Sequence, residues 1–283
     1  MQSAQFQLHA DVEERHWWFL ARRQIVRRLI AEVVPPSTGA TIVDVGCGTG
    51  ANIASLSDAY QCLGIDTSGE AIELAKRRFP RVEFIHGFAP GDLGPAADGA
   101  RLFTMMDVLE HVSDDYLLLS QMLAAARPGA YILLTVPAEM ALWSRHDESF
   151  GHYRRYDLEQ LRRLWQDLPV TELLASAFNS RLYPLVKLVR TCNRVRRRSA
   201  GQAGTDFSLP CQPVNALLAR TFAAEAGRLT SALRGAPRDA YRRGVSLIAV
   251  LRREGGHIEP RRRPSSAAPD YFDPARGLYA GAS

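Results

Sequence analysis

The chain has 283 residues, 46% hydrophobic and 23% charged, which predicts one elaborated globular domain or a domain with an insertion. Its net charge of +5 divides unevenly: residues 1–150 carry 12 Lys/Arg against 19 Asp/Glu (−7), and residues 151–283 carry 23 against 11 (+12), so the two halves suit different partners. No apolar run approaches the ~20 residues that cross a bilayer, the first residues lack a signal-peptide pattern, and four cysteines without C-x-x-C spacing exclude a zinc ribbon or disulfide framework, so a cytoplasmic, reduced setting is expected.

Residues 1–36 read as a helical leader in two pieces, the second placing Ile25, Leu29 and Val33 on one stripe before Pro35 and Pro36 stop it. From residue 37 the period shortens. The runs TIVDVG (41–46), QCLGID (61–66), VEFIHG (82–87), RLFTMMD (101–107) and AYILLTVP (130–137) read as strands. Between them, SGEAIELAKRRF and SDDYLLLSQMLAAARPG read as helices, the second capped by Ser113 and closed by Pro128 and Gly129. DLEQLRRLWQDL (157–168) is a further helix and PVTELLASAF a sixth strand, ending a core that spans residues 37–178. Residues 179–243 form a helical lid insertion containing RLYPLVKLVRTCNRVRRR, a Gly/Ser/Pro-containing link and VNALLARTFAAEAGRLTSAL. GVSLIAVLRRE (244–254) is a last strand suited to the sheet edge, and residues 255–283 have the composition of a disordered tail. Strands alternating with crossovers predict an α/β fold built on a doubly wound, mainly parallel, seven-stranded sheet.

A strand ending at Asp44 and Val45, followed by Gly46, Gly48 and Gly50, lets the backbone approach a ligand and aims the next helix N-terminus at it. The second strand ends at Asp66, 22 residues after Asp44, where a carboxylate accepts from ribose hydroxyls; capping the next helix is its other use. The glycines fall as G-x-G-x-G with Asp44 two residues before the first, which repels a pyrophosphate and attracts a cation, so the ligand is expected to be a nucleoside bearing a positively charged amino acid.

Through VDVGCGTG, GID and the five-strand rhythm, residues 38–178 and the last strand resemble the class I S-adenosylmethionine-dependent methyltransferases. The resemblance implies a Rossmann-like fold, S-adenosyl-L-methionine as cofactor, and contacts to it from Asp44, Gly46, Cys47, Gly48, Gly50, Asp66, Thr67, Asp107 and Val108. Many members follow the third strand with an acid that reads the adenine. Phe88 stands there instead, either stacking on the ring or lining its pocket, with Asp92 further along the loop.

DVLEHV (107–112) follows the fourth strand, and a helix starting near Asp107 would put Asp107, Glu110 and His111 on one face. The segment resembles that of ubiquinone-biosynthesis O-methyltransferases, in some of which the Glu-His pair helps bind a divalent metal; no metal is expected here. A hydroxyl nucleophile needs deprotonation, which makes His111 the expected general base, with Glu110 beside it and His152 as a further base; closing the cofactor pocket is the alternative role for Glu110 and His111. ERHWWFLARR and SFGHYRRYD resemble a bacterial subgroup with an HWWF leader, a W-S-x-H-D segment (Trp143 to Asp147) and GHYRRY. From these, His16, Trp17, Trp18, His146, Tyr153, Arg154 and Arg155 are expected to bind the acceptor, although the Trp pair also suits packing of the leader on the sheet.

The expected function is methyl transfer to a small-molecule acceptor, a secondary metabolite or lipid-like compound, on oxygen. The alternatives are a cyclising or other non-methylating enzyme on the same cofactor fold, or a cofactor-binding partner subunit. Nucleic-acid partners are not expected, since no base-flipping segment, Pro-Cys pair or RNA-binding appendage is present. Residues 181–198 read as a substrate lid or as a peripheral membrane contact, and the oligomeric state is left open.

Overall fold

The computed structural model describes residues 3–36, 39–195, 208–236, 240–263, 271–273 and 278–280. The lid's link, with Arg196, Arg197 and Arg198, and much of the C-terminal tail lie outside the described residues. In chain order the elements are α1 (Ser3–Glu13), α2 (Trp17–Val33), β1 (Thr41–Val45), α3 (Ala51–Ala54), β2 (Gln61–Asp66), α4 (Gly69–Arg78), β3 (Glu83–His86), α5 (Pro95–Gly99), β4 (Ala100–Met106), α6 (Asp115–Ala125) and β5 (Tyr131–Pro137). Then follow α7 (Arg145–Phe150), α8 (Leu158–Arg162), β6 (Val170–Phe178), α9 (Tyr183–Val195), α10 (Gln212–Ala223), α11 (Ala226–Leu233), β7 (Ser246–Arg253), and the antiparallel pair β8 (Tyr271–Asp273) and β9 (Leu278–Ala280).

Seven strands form one sheet in the order β3-β2-β1-β4-β5-β7-β6, parallel except for β7, which runs antiparallel to both neighbours. Alternation along each strand divides the core in two. Val43, Val45, Phe103 and Leu134 pack with Leu119 and Met122 of α6 on one face, while Ile42, Leu102 and Leu133 meet Ile25 and Leu29 of α2 on the other. β2 and β4 flank β1 on opposite sides, so the chain reverses direction across the sheet there, and the loops after β1, β2 and β4 meet at one edge, the place where open parallel sheets take ligands.

Four sequence expectations change. β7 is not an edge strand: Leu247, Ala249 and Leu251 face one core and Ile248 and Val250 the other, so burial on both faces draws it between β5 and β6. The cap of α6 is Asp114, whose carboxylate accepts from Leu117 N at 2.9 Å, not Ser113. α8 stops at Arg162, and turns carry the chain to Leu168 while Leu164 and Trp165 remain buried. Residues 255–263 of the tail lie on the domain: Ile258 is buried in the core, Arg253 donates to Gly256 O, and Arg261 and Arg263 pair with Asp167.

The helices of the insertion pack on the leader. Phe222 of α10 and Leu229 of α11 are buried against the α2 side of the sheet, and buried Glu225 separates the two helices, accepting from Arg181 N at 2.8 Å.

Candidate functional site

After β1 the chain turns at Gly46 and Gly48, both with positive φ (+70° and +53°). A Cβ at Gly46 would sit 2.6 Å from Val108 Cγ2, so only glycine lets this loop lie against the turn that follows β4. Gly48 N donates to Asp66 Oδ2 and Ser68 N to Asp66 Oδ1, both at 2.8 Å. Asp66 thereby ties the first loop to the second and still has lone pairs for hydroxyl donors.

Asp44 departs from its expected role. It is buried beneath the loop and does not line the cavity described below; Thr104 Oγ1 donates to its Oδ1 at 2.5 Å, and its Oδ2 has no hydrogen-bond partner. Burial raises its carboxyl to about 7, so any electrostatic pull on a cation acts through the loop and not by contact. Gly50 is also outside the wall and is needed for packing, because a Cβ there would meet the Phe84 ring at 2.8 Å.

The loops open into one cavity of about 800 Å³, near the upper end of the ~300–1,000 Å³ typical of ligand sites. Gly46, Cys47, Gly48, Asp66, Thr67, Phe88, Asp107 and Val108 all line it. Phe88 is 71% exposed, and its backbone N–H donates to Asp92 Oδ2 at 2.6 Å, so Asp92 shapes the loop.

Beyond His16, Trp17 and Trp18, the leader supplies wall residues that the sequence reading missed. Arg22 of α2 pairs with Asp107 through Nη1, stacks over Trp18 at 4.2 Å, and leaves Nε without a hydrogen-bond partner. Asp107 also accepts from Thr135 Oγ1 at 3.0 Å and holds a left-handed backbone (φ +58°), a strained conformation of the kind that clusters at functional sites. From α1, Glu13 accepts from Thr49 Oγ1 at 2.6 Å and pairs with Arg78, closing the leader onto the glycine loop. His9 and Glu13 stand four residues apart and face the cavity, a spacing that could have flagged α1.

Trp17, Trp18 and His16 line the cavity while also packing the leader: Trp17 meets Phe222 edge-on at 6.3 Å, and His16 caps α2 by accepting from Trp18 N. Burial lowers His16 to about 4. The unfolded chain takes up this proton near the ordinary value of ~6.5 and the folded chain only near 4, so this contribution is lost as pH falls through that window. Replacing His16 by Asn, which keeps a cap acceptor, should therefore reduce the loss of unfolding free energy between about pH 7 and pH 5 by on the order of 2 kcal/mol, measured by urea titration.

Glu110, His111 and His152 come together, the first two on a 3₁₀ turn at Leu109–His111 in place of the expected helix from Asp107. Their ligand atoms lie within 4.8 Å of one another, and the His111 and His152 rings meet edge-on at 4.6 Å. Burial, with His152 adding to it, lowers His111 to about 3, so its imidazole is neutral near pH 7. Glu110 is fully buried with both oxygens unpaired; burial first, and Asp107 next, push its carboxyl well above the usual range. Two imidazoles and a carboxyl also make a donor set able to take a divalent cation.

Asp147 anchors this cluster. His152 Nδ1 lies 3.0 Å from Asp147 Oδ1, and Arg155 donates to both carboxylate oxygens at 2.8 and 3.0 Å. Burial works to raise Asp147, but Arg155, His152 and Arg190 together more than offset it and hold the carboxyl below the ordinary range. Arg155 and His146 line the cavity, with Arg155 occupied by this clamp. Arg154 and Tyr153 do not line it. Arg154 is buried and spends its guanidinium on the carbonyls of Leu109, Val112 and Ser113 and on Asp115, which secures the 3₁₀ turn from behind. Buried Asn179, unforeseen as a site residue, lines the cavity with neither amide atom hydrogen-bonded.

This geometry can be set against known proteins. Residues 17–168 match the family model described as a methyltransferase domain. A trans-aconitate 2-methyltransferase of Azoarcus sp. (strain BH72) is 32% identical over 122 residues, 41% of this chain and 46% of the relative. The O-methyltransferase cnsE of Penicillium expansum is 35% identical over 120 residues, 38% of this chain and 42% of the relative. The chain thus spans about half the length of these curated relatives. Among solved structures, the [4+2]-cyclase SpnF aligns with a TM-score of 0.52 at 19% identity, covering 82% of this chain and 81% of that one, which is a likeness of fold. With more than half its length matched, and the glycine loop, Asp66 and the seven-stranded sheet in place, the chain belongs to the class I S-adenosylmethionine-dependent methyltransferase family.

Proposed function

We propose that this protein transfers a methyl group to an oxygen of a small organic acceptor and belongs to the subgroup marked by the HWWF leader and GHYRRY segment, with α9, α10 and α11 as a lid over the cavity. The observation that carries this reading is the edge-on meeting of the His111 and His152 rings, 4.6 Å apart, in the same cavity as the glycine loop and Asp66.

The residues present fit the family's cofactor. Asp66 retains acceptor capacity for ribose hydroxyls, Gly46 and Gly48 allow close backbone approach, Arg22 has an unpaired Nε for a carboxylate, and Asp107 offers a carboxylate to an ammonium. When bound, S-adenosylmethionine supplies an electrophilic methyl carried on a sulfonium. His111, lining the cavity, accepts the acceptor hydroxyl's proton at an imidazole nitrogen as the methyl leaves sulfur; burial keeps the ring neutral and free to accept, and also makes it a weak base. Asp147, by hydrogen-bonding Nδ1 of His152, leaves the other nitrogen of that ring turned toward His111 or the acceptor. Aromatic and aliphatic walls exclude water and hold the acceptor in line.

Isotope-labelled methyl appearing in an acceptor, with release of S-adenosylhomocysteine, tests the reading; turnover of the acceptor without label would mark a cyclising use of the pocket. Asp66→Ala should weaken S-adenosylhomocysteine binding by ~1–3 kcal/mol in calorimetry, because the hydroxyls and the Gly48 amide lose their acceptor. Unchanged affinity would remove Asp66 from the cofactor site.

A further inference from the structure

The opening of the cavity is bordered by a face unlike an ordinary solvated surface. α9 turns Val186 inward, beside buried Leu182 just before it, and leaves Leu185, Leu188 and Val189 exposed at 49%, 61% and 42%, an i, i+3, i+4 stripe. On α10, Val214 and Leu217 are exposed at 44% and 64%. Leu185 and Val189 also line the cavity, as do Pro210 and Leu218 from the α10 side, so its apolar wall continues onto the exposed face. Exposed apolar residues that continue the wall of a cavity mark a contact surface, whereas scattered ones do not.

Charge decides what that surface meets. Among the described residues of 179–223, Arg181, Lys187 and Arg220 are exposed cations and no Asp or Glu is present. A second copy of the chain would bring the same positive charge to the contact and be repelled, whereas an anionic bilayer complements it over the ~10 Å reach of charge in dilute salt. No helix of the described residues is long and apolar enough to cross a membrane, so the contact is peripheral. Within the cavity, the buried and unpaired Asn179 amide offers a donor and an acceptor to a polar head group.

We propose that the exposed face of α9 and α10 seats the protein on an anionic lipid surface, and that the acceptor is a membrane-resident amphiphile whose polar head enters the cavity while its apolar chain leaves past Leu185 and Val189. The amphiphile's role as acceptor rests on the methyl-transfer reading; the docking does not.

The test is sedimentation of the full chain with vesicles of phosphatidylcholine, with and without phosphatidylglycerol. The protein should pellet with the anionic vesicles and be released by high salt. Leu188→Glu with Leu217→Glu, neither of which lines the cavity, should lower partitioning at least about tenfold while calorimetry with S-adenosylhomocysteine stays as in wild type. Wild-type protein left in the supernatant, or undiminished pelleting of the double variant, overturns the proposal. So does a wild-type dimer that ignores vesicles and becomes monomeric in the variant, which would make the face an interface between copies. Absence of S-adenosylhomocysteine binding in both proteins would defeat the methyl-transfer reading alone, leaving the docking to be judged by the pellet.

Discussion

Replacing His111 by Ala is expected to lower turnover by roughly 10²–10⁴-fold while leaving S-adenosylhomocysteine affinity near that of wild type. The separation follows from position. His111 lies on the 3₁₀ turn after β4 and faces His152 at 4.6 Å, whereas the groups suited to the nucleoside lie on the loops after β1 and β2. A structural role alone would disturb the turn and with it Asp107, so affinity and turnover would fall together. The pH profile gives a second readout. With burial and His152 holding His111 to about 3, the acid limb of kcat should be missing from the ordinary histidine range near ~6.5. Unchanged turnover in His111→Ala would remove it as the base.

Asp147→Ala should destabilise the fold by about 3–5 kcal/mol, read as a lower urea midpoint at an unchanged slope. Its carboxylate accepts from Arg155 at two nitrogens and from Ser144 N at 2.8 Å, and it holds His152, all with no solvent exposure. Removing it leaves Arg155, 2% exposed, as a buried cation whose remaining partner is the Ala138 carbonyl, and frees the His152 ring. Asp147→Asn keeps the helix cap and one acceptor but loses the charge, and should fall between the two. A shift below about 1 kcal/mol for Asp147→Ala would mean that water relaxes around Arg155 and that the clamp does not hold the site together.

Much of the loop geometry at the carboxyl edge of the sheet was legible in the sequence because it depends on local backbone chemistry. A buried strand must end where glycines permit positive φ, and VDVGCGTG writes that turn directly; the acid closing the next strand sits beside it once two parallel strands pair in register. The same logic misjudged Asp44, since a strand pattern tells which residues lie at the carboxyl edge but not which side of the loop a carboxylate occupies. Arg154 and Arg155 are adjacent in GHYRRY and identical in type, yet one braces the turn from behind and the other clamps Asp147 at the cavity wall. No periodicity separates them.

Local rules, then, set out in the sequence by itself the strand and helix rhythm, the family, the cofactor loop and the Glu110 and His111 pair. Only tertiary packing decided that β7 runs between β5 and β6, that α1 and α2 close over the loop with Arg22 against Asp107, and that Asp147 and Asn179 belong to the site. The physical reason is range. A turn or cap is an energy between residues a few positions apart, whereas Arg22 and Asp107 stand 85 residues apart and meet because burial of apolar surface on both faces of the sheet brings the leader across it.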